Sequence, residues 1–576
     1  MRHPLCTIRA GRRLSALLLA LLLAAPSTLS CRRISPSLPA GTAPAEPVNA
    51  GTPAAETVPS SDADTAEDAE NQTDVEAPAP VAPELILRAE PGDPPAFPDD
   101  GKVRAAYAVN YGPAGKITGT TMKDVSDRMT KAEAVPNLGY RFVCWSDGST
   151  DPVRQDNPDN VKENTVFTAY FDYDVLDMPV IAIDTVTGRD VQSKTEYILA
   201  DFRICGTDDA WAVSETVQIR GRGNNSWGYE KKSYKMKFPE KVNLFDLGTG
   251  KDKVWVLLAN VCDQSLQRNH VALELARHLE GIAFSPASLS AEVYLNGEYR
   301  GSYNLIEPVT DGRGRVEIDT ENYDFIFEVD MNRSDGSYYF KPKHGQRMKV
   351  SRPEEVDSES RAVLKDFFDL MDKALMTHDM EEYSQYIDVD SFVDFYIHSE
   401  ITKSIDVYDF STRYFMKGGK LYAGPVWDYD LSMGNVSETC WEDKYFTYCN
   451  VRGFGTRSGD SAEGVWMDNY WFHELLKDPA FRARVLERFE ELYPLFENLW
   501  TDNERGPCLI DWILSRYGKS FRRNYEQTGW QELGRYSGLA KDETLPFNEE
   551  VEWLRNWLKR RTAWVAFYLL DLTAED

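Results

Sequence analysis

The sequence predicts an α+β fold in which a small β-rich domain precedes a larger two-part domain, strand-rich first and helix-rich second. Three observations predict it. Runs such as "VRAAYAVNYG", "YRFVCWSD" and "TVFTAYFDY" alternate in strand fashion between Gly, Pro, Asn and Asp turns. Between about 177 and 345, short strand-like runs surround a single helical pattern. From about 355 onward, helical patterns dominate.

The chain begins with a targeting signal over residues 1–30. Arg2, Arg9, Arg12 and Arg13 precede the apolar run "LSALLLALLLAAP", and "STLSC" follows. These are a charged n-region, an apolar h-region and a small-residue cleavage zone. The apolar run is too short for a spanning helix. Cys31 follows directly, and the segment resembles a bacterial lipobox with Thr28 three residues before the cysteine. The resemblance implies a lipid on Cys31 and an extracytoplasmic protein anchored to the bacterial membrane. Plain secretion is the alternative.

Residues 31–85 hold Ala, Pro, Thr, Ser and acidic residues, with almost nothing large and apolar to bury. They are expected to form a disordered, self-repelling tether. Residues 86–173 form the small β-rich domain. Its string "AVPNLGYRFVCWSDGSTDPVRQDNPDNVKENTVFTAYF" resembles the Listeria–Bacteroides type of bacterial surface repeat. The resemblance implies a surface spacer or adhesive module.

The remaining 177–576 segment has strand-like runs "MPVIAID", "ETVQIRGRG", "SYKMKF", "KVWVLLAN", "AEVYLNGEY", "GSYNLIEPV" and "YDFIFEVD". A helix fits "SLQRNHVALELARHL", with Leu266, Val271, Leu275 and Leu279 near helical spacing. Further helices fit "ESRAVLKDFFDLMDKAL", "VDSFVDFYIHSEITK", "WFHELLKDPAFRARVLERFEELYPLF" and "VEWLRNWLKRRTAWVAFYLLDL". They are interrupted by "TRYFMKGGKLYAGPVWDYD", a strand pair turning at Gly418-Gly419. A cleft between the two parts is the expected ligand site.

At a formal net charge of −29, the chain is unsuited to general nucleic-acid binding. A polyanion such as ATP would need a local basic site or a metal. Beyond Cys6 and Cys31 there are six cysteines, Cys144, Cys205, Cys262, Cys440, Cys449 and Cys508, with no CxxC metal pattern. Export permits disulfides, and Cys440 with Cys449 could clip a loop.

Three stretches could carry chemistry. In "IRGRGNNSWGYEKKSYKMKF" a glycine-spaced basic turn with Arg220, Arg222 and Asn224 leads into a strand carrying Lys231, Lys232, Lys235 and Lys237. Backbone N–H groups and a lysine could cradle phosphates there. A hairpin with a solvated basic face is the plainer reading. In "VWVLLANVCDQSLQRNH", Asn260, Asp263, Arg268 and Asn269 either cap a helix or line a cleft. In the third, Asp406 lies at a helix end and Asp428 follows 22 residues later across a hairpin. Phosphoryl transfer needs one acid near the acceptor hydroxyl and another holding Mg²⁺ on the phosphates, in this order. Asp430 is a second candidate metal ligand, although alternation along an extended strand could turn it toward a basic partner instead. A structural ion network is the alternative for both acids.

Together these strings, with "AEVYLNGEYRGSYNLIE", "FIFEVD" and "KLYAGPVWDYDLSMGN", resemble the CotH family of spore-coat-type atypical kinases. The resemblance implies a divergent kinase-like fold that uses ATP and Mg²⁺ or Mn²⁺ to phosphorylate Ser in partner proteins. It gives Asp406 the role of catalytic aspartate and Asp428 that of metal ligand, with Lys232 as the phosphate-binding lysine. HRD, DFG and a regular GxGxxG are absent, and Ser411 stands where an ordinary kinase has its metal-binding Asn. His398, eight residues before Asp406, reads as a packed helix residue. Two other functions compete. One is a catalytically silent surface binding module. The other is a metal-dependent glycosyltransferase using Asp428-Tyr429-Asp430 as its DxD, which the lack of a βα nucleotide-binding pattern disfavours.

Overall fold

The computed structural model describes residues 95–205, 213–223, 225–247, 250–330, 336–407, 410–437, 470–527 and 545–574. The signal segment, Cys31, the tether, Asn224, Cys440 and Cys449 lie outside them. Among the described residues, Cys144, Cys205, Cys262 and Cys508 are free thiols.

The first domain has two small sheets. Its strands are β1 (Arg104–Val109), β2 (Gly115–Thr118), β3 (Met122–Asp124), β4 (Ala132–Pro136), β5 (Tyr140–Trp145), β6 (Val153–Arg154) and β7 (Thr165–Tyr173). One sheet runs β3-β1-β7-β5 and the other β2-β4-β6. Trp145, fully buried, meets Tyr107 edge-on at 6.0 Å. The domain shares its core with its neighbour. One buried cluster joins its Tyr140, Phe171 and Tyr173 to Val180, Ala182, Tyr294 and Tyr299 of the next domain. The Tyr294 hydroxyl donates to the Gly139 carbonyl at 2.6 Å, and that of Tyr140 to the Gly297 carbonyl.

The next seven strands close into a barrel. They are β8 (Val180–Thr185), β9 (Ile198–Cys205), β10 (Ser214–Arg222), β11 (Ser233–Val242), β12 (Asp252–Leu258), β13 (Ser288–Leu295) and β14 (Glu298–Ile306), in the order β10-β11-β12-β14-β13-β8-β9. Ile219, Met236 and Trp255 lie in one cross-strand row and are fully buried. The next row, Arg220, Lys235, Val256 and Ile306, belongs to the opposite face of the strands. Helix α1 (Arg268–Arg277) is inserted between β12 and β13.

Residues 307–324 cross to a second sheet. It comprises β15 (Phe325–Asp330), β16 (Tyr339–Phe340), β17 (Met348–Arg352), β18 (Phe410–Lys417) and β19 (Lys420–Ala423), ordered β16-β17-β15-β18-β19. "FIFEVD" therefore pairs with strands of the later part, and the division between the two parts falls before it. β18 and β19 form the expected hairpin, with Gly418 and Gly419 both at positive φ.

The helices are α2 (Ser358–Leu375), α3 (Met380–Tyr383), α4 (Val389–Thr402), α5 (Tyr470–Leu475), α6 (Pro479–Glu497), α7 (Leu509–Asn524) and α8 (Phe547–Ala574); α4 packs on β19, and α7 packs on β14 of the barrel. "WFHELLKDPAFRARVLERFEELYPLF", expected as one helix, is two. Asp478 caps α6 by accepting from the Ala480 N–H at 2.8 Å, and Pro479 occupies the first helical position. α4 is buried over nearly its whole circumference, as a central helix must be. No helix among the described residues is long and apolar enough to cross a membrane.

Candidate active site

Segment 424–435 leaves β19 and crosses the base of α4. It is held by backbone and amide contacts rather than by regular structure. The Ile405 N–H donates to the Leu431 carbonyl at 3.2 Å and the Met433 N–H to the Thr402 carbonyl at 2.7 Å. These bonds fasten the loop carrying Asp406 to the loop carrying Asp430. Asn435 Nδ2 donates to the carbonyls of Asp430 at 2.8 Å and Cys262 at 2.7 Å. Gly434, at φ 75°, has no room for a side chain: a Cβ would lie 2.4 Å from both Trp553 and Trp557 of α8.

Asp428 sits in the left-handed region at φ 70°, a conformation that Asp tolerates better than most residues. Its Oδ2 accepts from the Ser411 hydroxyl at 3.2 Å. Asp430 makes no ion pair among the described residues. Burial pushes its carboxyl well above the usual carboxylate range, and the charges of Asp428, Asp406 and Asp263 push it further. The Cys262 thiol is raised by the same surroundings, first by burial and then by Asp430 and Asp428. Three acids named from the sequence, Asp428, Asp406 and Asp263, are thus near enough to act on Asp430, and no ion pair among the described residues neutralises it. A cation relieves such a cluster.

The residues fit a metal carried by phosphates better than a protein-only cage. No three His, Cys, Asp or Glu side chains among the described residues are arranged to hold a metal by themselves. Mg²⁺ commonly takes one or two carboxylates and completes its shell with water and phosphate oxygens.

An asparagine relay connects this site to the barrel. Asn260, at φ 49°, donates through Nδ2 to Asn304 Oδ1 on β14. Its own Oδ1 accepts from Asn269 Nδ2 at 3.1 Å, and Asn269 Oδ1 accepts from the Tyr429 N–H at 2.7 Å. Asn260 and Asn269 thus position the peptide between the two acids. Asn304 was not singled out in the sequence; it is one more polar residue on an alternating strand.

Asp263 and Arg268 form a buried network instead of lining the cleft. Arg268 Nη1 lies 2.5 Å from Asp263 Oδ1, and Nη2 lies 3.0 Å from Glu550 Oε1 of α8. All three side chains are fully buried. His398 is also in the core: Nε2 lies 2.9 Å from the Ala272 carbonyl, and burial lowers its pKa to about 4.

The basic turn is rearranged relative to expectation. Lys232 Nζ donates to the Trp227 and Tyr229 carbonyls, each at 2.7 Å, and so braces the β10–β11 connection. Arg220 Nη1 donates to the Lys194 carbonyl, and its guanidinium lies 5.1 Å from the Tyr197 ring. Arg222 turns toward the acids, 5.6 Å over the Trp427 ring. Arg413 lies 5.9 Å from the same ring. Gly221 is needed because Trp227 packs on it, with only 2.2 Å from a Cβ to the indole. Its spacing reflects that contact. Lys235 is 4% exposed, two residues along from Ser233, whose hydroxyl accepts from the Ala259 N–H at 3.0 Å.

Comparison with known families identifies two regions of the chain. A family model described as CotH kinase protein matches residues 219–565, and one described as a divergent InlB B-repeat domain matches residues 106–175. The second is a bacterial surface-repeat type and points to an extracellular or surface protein. No curated protein matches the chain.

Proposed function

The chain belongs to the CotH kinase family, and from that premise we propose that it is an exported protein kinase. It transfers the γ-phosphate of ATP to Ser hydroxyls of partner proteins, using Mg²⁺ or Mn²⁺, and is held at the membrane by a lipid on Cys31. The observation that carries this reading is the buried Asp430 carboxyl, pushed up by burial and by the charges of Asp428 and Asp406, beside an Asp428 that accepts from Ser411 at the kinase asparagine position.

Asp428 and Asp430 are the residues that would hold the metal. When bound, it supplies positive charge to the phosphate oxygens. Asp406, at the end of α4, orients the acceptor hydroxyl and takes its proton. Ser411 fixes the Asp428 carboxylate. Arg222 supplies positive charge from the barrel side. Lys232, which braces its own turn through two carbonyls, would have to release them to contact phosphate.

The second reading is a catalytically silent surface module, which the divergent InlB B-repeat match over residues 106–175 supports. The glycosyltransferase reading finds no support in the antiparallel β18–β19 hairpin that leads to Asp428, since such enzymes bind nucleotide on βα units.

The two readings separate in one experiment. The full chain is incubated with γ-labelled ATP, Mn²⁺ or Mg²⁺ and dephosphorylated casein, beside Asp428→Asn and Asp406→Asn. Phosphoserine is expected with the parent only. Metal-dependent nucleotide binding should be lost in Asp428→Asn and kept in Asp406→Asn. A parent chain with neither transfer nor metal-dependent nucleotide binding refutes the kinase reading.

A further inference from the structure

The asparagine relay has a direction. Asn304 Oδ1 accepts from Asn260 Nδ2, Asn260 Oδ1 from Asn269 Nδ2 at 3.1 Å, and Asn269 Oδ1 from the Tyr429 N–H at 2.7 Å. Asn260 and Asn269 each turn their NH2 group toward the barrel and their oxygen toward the acids. All three asparagines are buried. The Tyr429 N–H can only donate, so Asn269 must meet it with oxygen. The NH2 of Asn269 then needs an acceptor in Asn260, and the NH2 of Asn260 needs one in turn. The acceptor at the far end is Asn304.

Asn304 is a fixed anchor. Its backbone is paired on both sides within the barrel, with Leu258 of β12 and Ser290 of β13 as its Cα partners. Its Nδ2 has no hydrogen-bond partner among the described residues, although the residue is only 1% exposed. An idle buried donor is costly. The oxygen, which Asn260 uses, therefore accounts for an amide at this position.

The other end of the relay bears on a conformation that has to be held. Asp428 directly precedes Tyr429 and lies at φ 70°, a sparsely populated region for a residue with a side chain. Asp430 directly follows Tyr429. Rotation of the peptide that carries the Tyr429 N–H would change how the two carboxylates face each other.

We propose that Asn304 is a positioning residue for the aspartate pair. Acting through Asn260 and Asn269, its oxygen fixes the direction of the relay and with it the peptide between Asp428 and Asp430. A strand of the barrel thereby sets the mutual geometry of two acids carried by the other part of the domain. That these acids hold a metal rests on the proposed function. The relay itself does not depend on it.

Asn304→Leu keeps the branching of the side chain and removes the acceptor. It deletes one idle donor, Asn304 Nδ2, and creates another, Asn260 Nδ2, so the melting temperature should stay near that of the parent. Asn304→Ala, which cannot overfill the site, repeats the test, and Asn304→Asp restores an acceptor. Deuterium exchange of the metal-free full chain is followed by mass spectrometry over residues 427–431, with β18 as the reference. Exchange there should be about threefold to tenfold faster in the Leu and Ala variants, the factor that one hydrogen bond contributes, and close to parental in Asn304→Asp. Calorimetric titration with Mn²⁺-ATP should show binding weakened about threefold or more in the same two variants and recovered in Asn304→Asp. Parental exchange in the Leu and Ala variants, or an equal rise over β18, overturns the relay. Faster exchange with parental Mn²⁺-ATP affinity overturns its link to the metal. A parent chain that binds no nucleotide with Mn²⁺ refutes the kinase reading instead, and the exchange result still decides the relay.

Discussion

Replacing Arg268 with Met tests whether α8 is locked to the site by charge. The side chain is fully buried and bridges Asp263 at 2.5 Å and Glu550 at 3.0 Å, with Ser265 Oγ at 3.2 Å. Methionine fills similar space against Trp553 but leaves two buried carboxylates without their cation. Breaking a buried pair by removing one partner costs about 3–5 kcal/mol. Asp263 would keep partial compensation, since its oxygens also accept from the Ser265 and Arg268 N–H groups at 2.9 and 2.8 Å. Glu550 loses more. Adding Glu550→Gln to Arg268→Met should therefore recover about 0.5–3 kcal/mol, the range seen for coupled neighbours. Urea unfolding of the parent, both single variants and the double variant, followed by tryptophan fluorescence and circular dichroism, measures the cycle. A loss below about 1 kcal/mol for Arg268→Met, or a double variant no better than the single, would refute the network's role.

Two further outcomes arise from burial of charge. Asp430 is raised in the folded state, so its contribution to stability is complete below its unfolded value of about 4 and is lost as pH rises through the folded value. In metal-free protein, Asp430→Asn should raise the melting temperature at neutral pH and leave it unchanged near pH 4; parallel curves for parent and variant would count against it. Burial also lowers Lys231 to about 7, with Nζ donating to the Ser302 carbonyl and Asn524 Oδ1. Between pH 7 and about 10, folding releases its proton, so stability rises with pH across that window; Lys231→Met should flatten the rise, and an unchanged slope would exclude it.

What could be read in the sequence was local. The Gly418-Gly419 turn, the α1 helix and the β-rich repeat each rest on residues within one short window, and all are found. Closure of the barrel was not readable. It depends on β8 pairing with β13 across more than a hundred residues, a parallel contact that no alternation pattern announces. The break before α6 was readable and missed, because Asp478-Pro479 is a capping signal inside an otherwise continuous helical pattern. Among the site residues, the acids stood out because charge in an apolar stretch is conspicuous. Lys232 took its role from the family resemblance; its side chain folds back onto its own turn, a choice that four clustered lysines cannot reveal in one dimension.

The repeat was expected to act as a surface spacer or adhesive module, and it shares its core with the barrel. Its Asp174 carbonyl accepts from Arg523 of α7 at 2.6 Å, and the Asp177 carboxylate accepts from the N–H groups of Lys519 and Ser520 at 2.8 and 3.0 Å. A tug on the N-terminal side of the repeat therefore does not swing a hinged bead. The load passes in shear through the Tyr140 and Tyr294 contacts into the β13–β14 turn, and through Arg523, tied to Glu292 of β13, into the same hairpin. The repeat and barrel share one buried cluster, so a load applied to the described part of the repeat bears directly on the β13–β14 hairpin.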